Sequence, residues 1–173
     1  MEMGHSSPRQ GRGCGVSAKV ETTMADHEDV LSGRLTDGGH ELQARVYYAD
    51  TDFSGAVYHA RYLEFLERGR SDFLRLVGVH HTELEAGKTG ETLYWVVRRM
   101  EIDFRSPARI DDILTVATRV AETGRARIRM AQEIRRGETV LIKAKVEAAL
   151  INAEGKPRRF PREWAELFQP ASS

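Results

Sequence analysis

Residues 47–70 read YYADTDFSGAVYHARYLEFLERGR, and the change of texture inside this stretch decides the architecture. Its first half carries Asp50, Thr51, Asp52 and Gly55, residue types that close turns and cap amides. From residue 60 to residue 77 the apolar side chains of Tyr62, Leu63, Phe65, Leu66, Phe73, Leu74, Leu76 and Val77 recur at helical spacing. Glu64, Arg68, Asp72 and Arg75 occupy the remaining face at three- and four-residue intervals. The pattern predicts one long helix with a broad apolar surface to bury, stopped at Gly78.

Working outward, residues 41–48 alternate, with Leu42, Ala44, Val46 and Tyr48 on one face and Gln43, Arg45 and Tyr47 on the other. This predicts a strand that delivers the chain to Asp50. Residues 79–90 read as a short helical turn and loop ending at Gly87 and Gly90. After Gly90 the period changes to two. Leu93, Trp95 and Val97 oppose Tyr94, Val96, Arg98, Met100, Ile102 and Phe104. Three more alternating runs follow: Leu114 to Val120, Ala126 to Ile134, and Val140 to Leu150. Short connections at Glu122-Thr123-Gly124 and Arg136-Gly137-Glu138 suit antiparallel hairpins, so neighbouring strands are expected to pair in a meander. One strand, a long helix and four strands predict an α+β fold whose five-stranded antiparallel sheet covers the helix. There is no internal repeat and no βαβ alternation, which disfavours a dinucleotide-binding or barrel topology.

Composition bounds the function. The chain has 173 residues, enough for one domain with a core of its own. Lysine plus arginine (26) equals aspartate plus glutamate (26), so no net charge draws the molecule to nucleic acid or an anionic membrane. Cys14 is the single cysteine, which excludes an internal disulfide framework and suits a reducing, cytoplasmic setting. The apolar runs fall short of the ~20 residues of a membrane helix, and the first residues lack a secretory apolar stretch, so no membrane insertion is expected. Residues 1–39 hold seven of the 15 glycines and no sustained apolar period, and they are read as a flexible extension ahead of a domain spanning 40–169. Met24, just before ADHEDV, is read as a natural translation start or the boundary of an added extension.

Taken singly, Asp50, Thr51 and Asp52 are turn residues. Their joint setting adds chemistry: two aromatics precede them, a flexible Gly55 follows, and a helix begins within a few residues. A carboxylate there faces the unpaired amides of a helix's first turn, which can polarise a carbonyl oxygen and hold the charge that develops on it during acyl transfer.

At this point the chain resembles a known family. The string Tyr48-x-Asp50-Thr51-Asp52-x-x-Gly55-x-Val57-x-His59-x-x-Tyr62, continuing to Glu67 and Arg70, is similar to the signature of the 4-hydroxybenzoyl-CoA thioesterase family of hotdog-fold proteins, especially its Tol-Pal-associated acyl-CoA thioesterase branch. Val96-Val97-Arg98-Arg99-Met100 and residues 107–112 also resemble that branch, so the likeness covers roughly residues 41–168. The resemblance implies a sheet curled around the long helix and a homodimer or homotetramer with sites at the dimer interface. It also implies hydrolysis of acyl-CoA thioesters, with short aliphatic acyl groups favoured and either coenzyme A or acyl carrier protein as the carrier.

By the same resemblance Asp52 is the catalytic carboxylate, acting as general base or as nucleophile, while Asp50 is structural. His59 supplies the backbone N–H that meets the thioester oxygen; its imidazole is read equally as a catalytic aid or a structural hydrogen-bonding group. Tyr48, Gly55, Val57 and Tyr58 are the expected substrate-binding positions. Coenzyme A phosphates call for local arginine, and Arg98 and Arg109 are the preferred candidates, with the cluster at residues 156–159 behind them. No metal and no cofactor is expected, coenzyme A being part of the substrate. His5, His27, His40, His80 and His81 lack metal-ligand spacing and are read as surface residues. The alternatives are a hotdog dehydratase or hydratase, distinguished by turnover of enoyl or 3-hydroxyacyl thioesters, and a non-catalytic binding module, distinguished by binding without thiol release.

Overall fold

The structure is a computed structural model, described over residues 32–169. In chain order its elements are β1 (Arg34–Thr36), β2 (Gly39–Arg45), a 3-10 turn (Tyr48–Asp50), α1 (His59–Leu76), α2 (His81–Glu85), β3 (Leu93–Phe104), β4 (Ile113–Thr123), β5 (Arg127–Arg136), β6 (Thr139–Asn152) and α3 (Trp164–Leu167). The strands form one antiparallel sheet in the order β1-β2-β4-β5-β6-β3. The α+β class and the single long helix on a sheet are as the pattern predicts. No helix among the described residues is long and apolar enough to cross a membrane.

Several expectations need correction. The sheet has six strands rather than five, because Arg34–Thr36 folds back on β2, pairing Arg34 with Glu41 and Thr36 with Gly39. Arg34–Thr36 and Gly39 therefore belong to the sheet, ahead of the expected boundary at residue 40. The earlier part of the expected extension, with Met24, His5 and His27, lies outside the described residues. The first predicted strand ends at Arg45, since residues 48–50 turn in a 3-10 helix.

The meander holds only for β4, β5 and β6. Gly137, at φ 55, provides the left-handed conformation of the tight β5–β6 turn, in which Arg136 pairs with Thr139. β3 does not pair with β4. The segment between them is too long for a tight hairpin and contains Pro107; its Ala108 carbonyl accepts the Val57 amide at 2.9 Å. The chain thus crosses the end of the sheet, leaving β3 as the edge strand beside β6.

A bulge between Val97 and Arg99 further changes the alternation of β3. Val97, Met100, Ile102 and Phe104 pair with Ala148, Val146, Ala144 and Ile142, all on the inner face of β6. The bulge therefore returns Met100, Ile102 and Phe104 to the face of Leu93 and Trp95, which simple alternation denies them.

α1 rests on the inner face over β2 and β4. The approach depends on Gly69: a Cβ there would lie 2.7 Å from Val116 Cγ1 and 3.1 Å from Thr118 Oγ1. Two apolar clusters flank this point. One gathers Tyr62, Phe65 and Leu66 against Leu114, Val116, Ile134 and Ile142. The other gathers Phe73 and Leu74 with Val120, Ile128, Met130 and Leu150, and is closed by Trp164 and Phe168 of the C-terminal segment.

His40, read as a surface residue, is buried. Its Nε2 meets Asp72 Oδ2 at 2.8 Å, and the Gly33 N–H donates to the same oxygen at 2.7 Å. Burial alone would raise the Asp72 pKa, but the bonds from Arg75, Gly33 and His40 outweigh it and hold the carboxyl below its ordinary value. This pair ties the start of the sheet to the helix.

Replacing Gly69 with alanine sets a helix-propensity gain of ~0.5–1 kcal/mol against an overpacking cost of ~1–3 kcal/mol. The expected net loss is of order 1 kcal/mol, read from the urea midpoint. A raised midpoint would contradict the close approach.

Candidate active site

Residues 46–58 are held in place by their own hydrogen bonds and by the segment after β3. Asp50 Oδ2 accepts the Tyr47 amide at 2.8 Å, and its backbone carbonyl accepts the Tyr58 amide at 2.9 Å. Arg61 adds a 3.7 Å ion pair to Asp50 Oδ1 and donates to the Ala49 carbonyl at 3.1 Å. Asp50 thus joins the 3-10 turn to the start of α1, a structural task.

Asp52 occupies a different environment. The chain reverses between Thr51 and Val57, which face each other in an isolated antiparallel bridge. The Asp52 amide donates to the Ala56 carbonyl, and the Gly55 amide donates to the Asp52 carbonyl, both at 2.9 Å. Gly55 sits at φ 74, a backbone region that L side chains rarely adopt. The Asp52 carboxylate stands exposed on this turn, with Oδ1 accepting the Ser54 amide at 2.8 Å and the Ser54 hydroxyl at 2.6 Å. Those two bonds, hydroxyl first, hold its carboxyl below the ordinary aspartate range, and His59 assists through space. Asp52 is therefore ionised at neutral pH and within electrostatic reach of His59.

α1 begins at His59, and its N-cap residue Tyr58 contributes no side-chain hydrogen bond. The first-turn amides are left uncapped by protein side chains and are suited to an incoming oxygen. The rings of Tyr58 and His59 stack at a tilt, centroids 4.4 Å apart. Beside them opens a cleft of about 320 Å³ lined by Val57, His59, Tyr62, Phe104, Arg105, Ser106 and Pro107. Tyr62 forms its inner wall: its hydroxyl accepts the Ala108 amide at 2.8 Å, its ring meets Phe104 edge-on, and burial raises its pKa. A more voluminous opening, near Glu67, Asp72 and His80, lies on another side of α1, away from Asp52.

Among the expected substrate-binding positions, Val57 lines the cleft together with His59, expected as a catalytic residue, and Gly55 shapes the turn beside it. Arg109 belongs to the same neighbourhood, its backbone bridged to Ala56 and its Nη1 3.8 Å from where a Gly55 side chain would start. Tyr48, by contrast, is 83% exposed on the 3-10 turn. Arg98 points away from the cleft, ion-paired with Glu147 at 2.7 Å beside Arg129. Sequence reasoning missed Ser54, Tyr62 and Phe104. The first had a signal: aspartate side chains commonly bond the backbone two residues on. Among the described residues, no three histidine, cysteine, aspartate or glutamate side chains are grouped to hold a metal.

With this geometry in view, comparison with known proteins is informative. The model of the thioesterase superfamily matches residues 54–143. The chain is 40% identical over 136 residues to the acyl-CoA thioesterase YbgC of Haemophilus influenzae, covering 78% of this chain and 97% of that protein. It is 37% identical over 127 residues to the acyl-CoA thioester hydrolase YbgC of Escherichia coli O157:H7, covering 72% and 92%. Among solved structures, a probable thioesterase from Bartonella henselae superposes with a TM-score of 0.69 at 61% identity, covering 70% of this chain and 98% of that one.

Removing the Ser54 hydroxyl takes away a bond that favours charged Asp52. In Ser54→Ala the Asp52 titration midpoint, followed by carbon NMR of the carboxyl, is expected to move to higher pH. An unmoved midpoint would show that Ser54 does not set the Asp52 charge.

Proposed function

Because the chain belongs to the thioesterase superfamily, we propose that it is an acyl-CoA thioesterase whose Asp52 carboxylate and α1 N-terminus together hydrolyse the thioester. The observation that carries this reading is an exposed carboxylate, held in its charged form and within electrostatic reach of His59, at the uncapped start of a long helix whose His59 lines a partly apolar cleft. The favoured substrates are short aliphatic acyl groups on coenzyme A, with acyl carrier protein as the other carrier of the same thioester.

In this mechanism the thioester oxygen accepts a hydrogen bond from the residue 59 amide, where the helix dipole favours the negative charge of the tetrahedral state. An oxygen activated by Asp52 attacks the carbonyl carbon, the carbon–sulfur bond breaks, and coenzyme A leaves as thiolate. If Asp52 acts on water, water's proton passes to the carboxylate and then to the departing sulfur. If Asp52 itself attacks, a mixed anhydride forms and water hydrolyses it. Both routes yield the free acid and coenzyme A, and water is the single co-reactant.

A homodimer completes the site in this proposal. Tyr47, Tyr48, Phe53 and Tyr58 stand exposed around the Asp52 turn, and β3 presents an open edge bearing Val97 and Phe104. A second copy covering these surfaces removes both liabilities. Arg109, beside the turn, is the nearer candidate for a phosphate of coenzyme A, and Arg98 could serve only across such an interface.

Asp52→Asn keeps the size of the side chain and removes its charge. The expected result in a thiol-release assay over a panel of acyl-CoAs is a kcat at least ~100-fold lower with an unchanged circular dichroism spectrum. Wild-type turnover by this variant would refute the role of Asp52.

A further inference from the structure

Tyr62 belongs to the signature string and sits in the first turn of α1, 3% exposed. A buried hydroxyl needs a partner, and this one finds it far along the chain: the Ala108 amide donates to it at 2.8 Å. Ala108 is fully buried, so its N–H has no bulk water to turn to.

On either side of Ala108 the segment between β3 and β4 is bonded to strand residues. The Arg105 amide donates to the Leu141 carbonyl at 2.9 Å, and the Asp111 amide to the Val46 carbonyl at 3.0 Å. Ala108 is turned instead toward the helix and the Asp52 hairpin. Its N–H goes to Tyr62, and its carbonyl accepts the Val57 amide at 2.9 Å. Val57 is bridged to Thr51, Arg109 is bridged to Ala56, and the Ala56 carbonyl accepts the Asp52 amide at 2.9 Å. Hydrogen bonds therefore lead from a side chain of α1, through Ala108, into the backbone that carries the carboxylate.

The helix end of this path is equally fixed. Residue 62 lies about 4.5 Å along the axis from residue 59, within the same turn, so the phenol and the residue 59 amide ride on one rigid piece of backbone. The ring is held edge-on against Phe104, centroids 6.0 Å apart. Without the phenol oxygen the Ala108 N–H is left buried with no acceptor, a state relieved by movement of the segment. Such a movement takes Val57 and the cleft-lining Pro107 with it. Burial raises the Tyr62 pKa, so the phenol stays neutral where Asp52 titrates.

We propose that Tyr62 is a positioning residue for thioester hydrolysis: through Ala108 and Val57, its hydroxyl oxygen holds the Asp52 hairpin and the cleft wall in register with the first turn of α1. It touches no reacting atom and lends no proton. This rests on the thioesterase reading above and deepens it.

The test is Tyr62→Phe, with kcat and KM for propionyl-CoA measured by thiol release across pH, at a temperature where circular dichroism shows the variant folded. The expected result is a kcat at least ~10-fold lower, a KM raised less than about threefold, and an acid limb of the pH profile whose midpoint does not move. Phe73→Leu, in the apolar cluster away from the site, is the stability control: it lowers the urea midpoint and keeps kcat within about twofold. In the wild type the Ala108 amide is expected to exchange with solvent deuterium at least ~100-fold more slowly than an unprotected amide. Unprotected exchange there overturns the inference whether or not the variant folds. Wild-type kcat in folded Tyr62→Phe, or an equal fall in Phe73→Leu, overturns this inference alone. So does the loss in Tyr62→Phe of an alkaline limb seen in wild type, which would make the phenol a proton donor. No thiol release by the wild type from any acyl-CoA overturns the hydrolase reading and this inference together.

Discussion

The contact on which the rest of the molecule depends is the close approach of α1 to the sheet at Gly69. With hydrogen in place of a side chain, the helix settles against Val116 and Thr118. That depth brings the Leu66 carbonyl within reach of Gln132 and lets Tyr62, Phe65, Phe73 and Leu74 bury on either side of the contact. It also fixes where α1 starts. Because Tyr58 and Val57 are bonded to Asp50 and Ala108, the helix's first turn is pinned next to the Asp52 hairpin. Packing at the middle of the helix and the position of its first turn follow from one steric allowance together with those bonds.

Two aspartates two residues apart serve different ends because their acceptors are used differently. Asp50 spends its carboxylate on the amide of its own 3-10 turn and on Arg61, joining two pieces of backbone. Asp52 commits one oxygen to Ser54, which fixes the side chain and favours its charged form, and remains exposed on its turn. In the proposed function, charge on Asp52 and uncapped amides on α1 are complementary parts of one acyl-transfer site.

The long helix was legible in the sequence to within a residue at each end, because its apolar period is strong and glycine follows it. The strands β4, β5 and β6 were legible for the same kind of reason. β3 misled: its alternation slips at Val97 to Arg99, and a bulge cannot be seen in a period-two pattern that assumes none. The crossover to β6 is a long-range choice that local turn chemistry does not encode. β1 has three exposed residues and no pattern to read, yet the Gly33–Asp72–His40 bonds anchor the chain beside it. In the site, the Asp-x-Ser bond was readable and went unread. The exposure of Tyr48 and the outward pairing of Arg98 follow from neighbours that sequence spacing does not supply.

The central claim is that Asp52 and the residue 59 amide address the same carbonyl. A crystal structure with an acyl-CoA analogue whose sulfur is replaced by methylene, keeping the carbonyl but not the scissile bond, tests this most directly. The account predicts the carbonyl oxygen within hydrogen-bond distance of the residue 59 N–H, with an Asp52 carboxylate oxygen facing the carbonyl carbon directly or through one water. A carbonyl seated elsewhere, such as the opening by Glu67 and His80, with the Asp52 turn empty, would contradict it.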